Sequence, residues 1–152
     1  MWSRPATICS VLLSIASMQL SAQCRKATRE ETPVGANLFE LMETQTVPNI
    51  HGKVFLPDGS AGEDVVVEVF RYKGGDNYED IKKALTQKRT KACVTGENGK
   101  FSLTGLRPGK YLLRAGTLPV RGLNEAHIIL VLRPGTQEEK KEGLEIKLSV
   151  GT

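Results

Sequence analysis

The chain has 152 residues, 39% of them hydrophobic and 25% charged, with a formal charge of +4. That balance excludes a disordered or low-complexity chain and fits one globular domain. Basic and acidic residues are interleaved without a basic stripe, so nucleic acid is not an expected partner.

Residues 1–22 read as a secretory signal peptide. Arg4 supplies the positive start, Ile8 to Leu20 is apolar and uncharged, and Leu20-Ser21-Ala22 offers a small-residue cleavage site. The apolar run is short for a membrane span, and no later stretch is long enough for one. Cleavage removes Arg4 and lowers the charge from +4 to +3. A retained N-terminal anchor and a lipoprotein acylated on Cys24 are the alternatives, the second disfavoured by Gln23 just before that cysteine. Cys9 leaves with the signal. Cys24 and Cys93 remain, an even number in an oxidising compartment, and are expected to form a disulfide.

Residues 23–48 are expected as an N-terminal segment that opens as a solvated tail. Leu38, Phe39, Leu41 and Met42 then suit either one helical turn or a short strand. The domain proper is expected over 49–152. Asn49 to Leu56 is its first strand, with Ile50 and Val54 on one face, ending at the turn signal Pro57-Asp58-Gly59-Ser60. Val65 to Tyr72 is the second, with Val65, Val67 and Val69 inward and Glu68 outward. After Gly74-Gly75, either Asp76 or Asn77 can cap a short helix whose Tyr78, Ile81 and Leu85 form an apolar stripe. Arg89 to Thr95 is a third strand.

Thr95 to Ala115 carries two more strands. Phe101 and Leu103 alternate with polar residues, as do Tyr111, Leu113 and Ala115 in part. Glu97-Asn98-Gly99 is a tight-turn signal before the first run, and Pro108-Gly109 turns the chain before the second. Asn124 to Arg133 is the sixth strand, with a continuously apolar centre, Ile128 to Leu132. Gly143 to Val150 is the seventh, with Leu144, Ile146, Leu148 and Val150 inward. Glu138 to Glu142 is a self-neutralising run expected as a solvated turn. Seven short strands separated by Gly/Pro turns, with one short inserted helix, predict an all-β sandwich.

The central stretch resembles the signature of carboxypeptidase regulatory-like domains. Thr95, Gly99, Phe101, Gly105, Leu106, Pro108, Gly109, Tyr111 and Leu113 match it. Gly52, Val54, Asp58-Gly59, Val65 and Val67 match the family's earlier strands, so the likeness covers about residues 50 to 115. It implies a Greek-key β-sandwich of the transthyretin (prealbumin)-like kind. The zinc carboxypeptidase domain to which such modules are appended is absent from the sequence, so its activity is not carried over. A purine-pathway hydrolase of similar fold ends in Tyr-Arg-Gly-Ser, which this sequence lacks. Related adhesin domains cross-link a first-strand Lys to a last-strand Asn. Lys53 could serve, but residues 143–152 contain no Asn.

Chemistry-bearing motifs are few. There is no HExxH or HxxE zinc motif, no GxSxG elbow and no P-loop ending. His51 and His127 lack a neighbouring ligand at metal spacing and read as surface or strand-end histidines. Asp76, Asn77, Glu79 and Asp80 lack calcium-loop spacing and read as a capped helix start. Two candidate surfaces remain. Tyr72 and Tyr78 flank Gly74-Gly75 and could pair as an aromatic platform for a glycan. Ile128, Leu130 and Leu132 form a candidate apolar patch that something should cover. The Leu38–Met42 segment is the favoured cover. The Tyr78/Ile81/Leu85 stripe is the second candidate, and a partner or second copy the third.

The sequence therefore predicts a secreted or periplasmic, non-enzymatic accessory or protein-interaction module without a cofactor, its partner unidentified. A carbohydrate-binding module of starch-binding-like fold is the alternative.

Overall fold

In the computed structural model, residues 24–33, 41–118 and 124–150 are described. The expected signal peptide, together with Leu38 and Phe39, lies outside the described residues. The chain is mostly β, arranged as two sheets. The strands are β1 (Arg25–Lys26), β2 (Leu41–Val47), β3 (Ile50–Phe55), β4 (Val65–Arg71), β5 (Lys91–Val94) and β6 (Lys100–Leu103). After these come β7 (Gly109–Thr117), β8 (Asn124–Leu132), β9 (Leu144–Lys147) and β10 (Ser149–Val150).

The larger sheet runs β1-β5-β4-β7-β8, and the far edge of β8 is shared by β10 and β2. The smaller sheet runs β6-β3-β9. Pairing is antiparallel except for β2 on β8 and β3 on β9, which are parallel. Among the described residues the strands thus exceed the seven expected by three. The supposed tail donates β1 and β2 to the larger sheet. The last expected strand is two strands: β9 pairs in the smaller sheet, and β10 joins β8 in the larger one. Crossing between sheets at Leu148 breaks the period-two pattern, so Val150, expected inward, is 61% exposed.

Alternation places one face of each strand in a shared core. Ile50, Val54, Val65, Val67, Val69, Phe101, Leu103, Tyr111, Leu113 and Ile146 meet there. Full burial of each such aliphatic contributes about 1.5–3 kcal/mol. Ile128, Leu130 and Leu132 belong to this same core, which corrects their reading as a surface patch. Alternate residues of β8 point to opposite sides, so the outward residues of that run are Ile129, which is buried, and Val131, which is half-buried.

Ile129 is covered, and among the described residues the helix lies over it. Helix α1 (Tyr78–Leu85) lies on the outer face of the larger sheet, with Ile81 and Ala84 buried against Phe70, Tyr72, Leu112 and Ile129. Leu41 packs at the margin of this cluster, but residues 41–47 add to the sheet edge-on instead of lying across its face. The helix starts where Asn77 Oδ1 accepts the Asp80 N–H at 2.9 Å. Asp80 Oδ2 in turn accepts the Gly75 N–H and the Asn77 amide. The first bond satisfies a backbone N–H that an uncapped first turn leaves open, and the other two tie the preceding loop to the helix start.

Cys24 and Cys93 form the expected disulfide, with Cα atoms 5.6 Å apart. Cys24 Sγ also meets the Ser102 N–H of β6 at 3.2 Å. The bridge therefore closes the side of the sandwich where β5 of one sheet faces β6 of the other. Two glycines are sterically required. A Cβ on Gly52 would sit 2.0 Å from the Leu144 carbonyl oxygen, inside the β3–β9 pairing. Gly99, at φ +70°, brings its backbone against Val54 O, where a Cβ would lie at 2.6 Å.

Candidate functional site

The two sheets differ in what lies outside them. The larger sheet is overlaid by α1 and by the arm of residues 24–33. The outer residues of the smaller sheet remain exposed or half-exposed. Because Ile50, Val54, Phe101, Leu103, Leu144 and Ile146 turn inward, the alternate positions His51, Lys53, Phe55, Lys100, Ser102, Glu145 and Lys147 turn out.

Register sets their neighbours. Lys53 stands opposite Lys100 on one side and Glu145 on the other, and Phe55 stands opposite Lys147. Like charges directly across an antiparallel pair are destabilising. One carboxylate, Glu145, is set among three ammonium groups, so the face is net basic. Its one aromatic, Phe55, lies 5.2 Å below Lys53 Nζ. At one end the His51 Nε2 donates to the Lys140 carbonyl at 3.0 Å, which fixes the exposed turn at Glu139–Lys141 against the sheet. His51 is thus an outward histidine, as the sequence predicts.

On the opposite side, charge is buried. Glu68, Arg114 and His127 share one row across β4, β7 and β8. The Glu68 side chain is 1% exposed. Its Oε1 accepts from Arg114 Nε at 2.6 Å and its Oε2 from Arg89 Nη1 at 3.1 Å. Arg114 also lies near Glu125, whose Oε1 is 3.0 Å from His127 Nε2. His127 is 2% exposed, which corrects its reading as a surface histidine. Glu68 likewise points outward from the core, but into a covered layer instead of solvent. Its signal was present in the sequence as opposite charges at outward positions of three neighbouring strands, legible only once the strand order is known.

Arg89 holds the arm as well, donating to the carbonyl oxygens of Glu31 (2.7 Å) and Thr28. Within the arm, Glu31 takes a two-pronged bond from Arg25 and a bond from the Thr28 N–H at 2.9 Å. The Arg25 hydrogen bond, followed by the Thr28 N–H, holds the Glu31 carboxyl at about 2, well below its ordinary 4.5.

Tyr72, Gly74, Gly75 and Tyr78 do not form a shared aromatic platform. Tyr72 is 5% exposed and packs in the helix–sheet cluster. Its hydroxyl donates to the Gly75 carbonyl, and burial, followed by the Asp80 and Asp76 carboxylates, pushes its pKa up. Lys110 Nζ covers its ring at 5.2 Å and donates to Gly74 O at 2.6 Å. Tyr78 is 50% exposed under Lys82, outside the buried stripe. The loop's polar groups are occupied in holding the chain between β4 and α1.

Among the described residues, no His/Cys/Asp/Glu group is arranged to hold a metal ion, and no helix is long and apolar enough to cross a membrane. The chain matches no protein-family model, and comparisons with curated proteins and solved structures gave no match either.

Proposed function

We propose that the protein is an extracytoplasmic, non-catalytic β-sandwich module that binds another protein through the outer face of its smaller sheet. The observation that carries this is the asymmetry of cover. One sheet is shielded by α1 and the arm, and the other presents Lys53, Lys100 and Lys147 around Phe55. A lysine pair set directly opposite across two strands weakens the free protein slightly. It is favourable against an acidic surface, where complementary charge raises association rate and selects partners. The disulfide supports an oxidising compartment.

The same reading takes the fold as Greek-key and transthyretin-like, of the carboxypeptidase regulatory-like kind. Several matched residues have structural roles consistent with such a signature. Thr95 Oγ1 is buried, accepts the Val65 N–H at 2.9 Å and donates to Gly62 O. Tyr111 is fully buried, and its hydroxyl donates to Arg107 O at 2.6 Å across the turn that precedes β7. The glycan alternative is not advanced, because Tyr72 is inside and Tyr78 stands apart.

The test is affinity capture from the native envelope or medium, comparing wild type with K53E/K100E/K147E. A defined protein retained by the wild type and lost by the variant, at equal melting temperature, supports the proposal. Identical recovery by both overturns it.

A further inference from the structure

We infer that the groove between the N-terminal arm and the C-terminal end of α1 is a binding site for a small amphiphilic carboxylate. It lies on the covered side of the sandwich and is independent of the partner-binding face proposed above. The groove encloses about 670 Å³, within the range of small-molecule sites.

Its chemistry is two-sided. Half-buried Leu85 supplies apolar surface above the buried Phe70 ring, Arg114 stands in the wall, and Lys26, Arg29 and Lys88 are exposed at the rim. The sole carboxylate in the lining is Glu68, and both of its oxygens already accept from arginines. Its charge is therefore spent within the wall, and the rim cations are left in excess. Arg114 also lies 5.9 Å from the Phe70 ring, so cation and apolar surface are contiguous. An anionic head at such a rim gains charge-assisted hydrogen bonds. A short hydrocarbon body removes the half-buried Leu85 surface from water, over a floor closed by the buried Phe70 ring. Neither an inorganic anion nor a neutral chain meets both requirements.

The arm that forms one wall is held in place by the disulfide and by Arg89. The site is therefore preformed in the oxidised chain, which lowers the ordering cost of binding.

The test is a titration of the oxidised protein followed by amide NMR, with octanoate, octan-1-ol and acetate as probes. Octanoate should give saturable shifts clustered at Phe70, Leu85, Lys88 and Arg114, while acetate and octan-1-ol at equal concentration do not saturate. R29E/K88E, which alters two exposed side chains, should keep the wild-type melting temperature and weaken octanoate binding about tenfold, as the loss of charge-assisted contacts requires. Shifts elsewhere or none at all, equal binding of octan-1-ol, or an unchanged affinity in the double variant would each overturn the assignment.

Discussion

Glu68 is the residue whose removal should be felt most. It lies between two guanidinium groups whose side chains are only 17% and 13% exposed. Removing the carboxylate leaves both cations facing each other in a covered layer, and breaking such a pair typically costs about 3–5 kcal/mol. Glu68→Ala should therefore lower the unfolding free energy measured in urea by an amount near the low end of that range, since both arginines keep some access to water. An exposed control such as Lys53→Ala should stay within about 0.5 kcal/mol of wild type. Glu31 makes the complementary case at the surface. Its folded pKa of about 2 lies below the ordinary 4.5. A depressed carboxylate contributes stability that is fully present above its unfolded value and is lost as pH falls through the folded one. Protection of the Thr28 amide should accordingly decline between about pH 4.5 and pH 2, while β7 amides stay protected. Arm protection that is flat across that window would show that Glu31 does not hold the arm.

Elements differ in how openly the sequence declared them. The strands β3 to β8 and helix α1 fall within a few residues of their expected spans, because alternation, turn glycines and a capping residue are local signals. β1 left no such signal, and β2 only an ambiguous one, its Leu41 and Met42 suiting a helical turn or a strand alike. β2 reads Leu41-Met42-Glu43-Thr44-Gln45-Thr46-Val47, apolar only at its ends, and its parallel partner begins at His127. A strand of this kind is defined by the edge it joins, not by its own pattern. The helix was legible, but its part in the cover was not, since a stripe of apolar residues does not say which sheet face it will meet; of the favoured Leu38–Met42 segment, Leu38 and Phe39 lie outside the described residues and Leu41 packs at the margin of the helix cluster. Ile81 is fully buried beneath that cover. Ile81→Ala should therefore cost about 2–4 kcal/mol, read by thermal or chemical denaturation. Loss of stability well under about 1 kcal/mol would mean that the helix can settle into the space, or that it contributes little to covering Ile129.

At the scale of the molecule, the sequence displayed a sandwich but not its asymmetry. Period-two patterning tells which side chains face inward and is silent about what lies over the outward ones. For that reason Glu68, Lys53 and His127 all looked alike as outward polar positions, although Lys53 is half-exposed and the other two are buried. The difference arises from the arm and α1, both placed by long-range contacts. The parallel pairings act at the same scale. They join residues near 42 to residues near 128, and residues near 52 to residues near 144. Such non-local ladders must close long loops before they contribute stability, which slows folding.

The Cys24–Cys93 bridge also fixes how the molecule would behave as a tether. Force applied through the two ends of the chain can extend only what lies outside the covalent loop. The bridge short-circuits a separation of 69 residues, which withholds roughly 230–250 Å of contour length. In single-molecule pulling, the oxidised protein should therefore release a correspondingly shorter unfolding step than the reduced one. β1 to β4, α1 and most of β5 would stay inside a closed loop after the sandwich has come apart. Equal step lengths with and without reductant would show that the bridge is absent from the folded protein. An oxidised chain strained between two anchors would thus yield β6 to β10 first and keep its central loop compact.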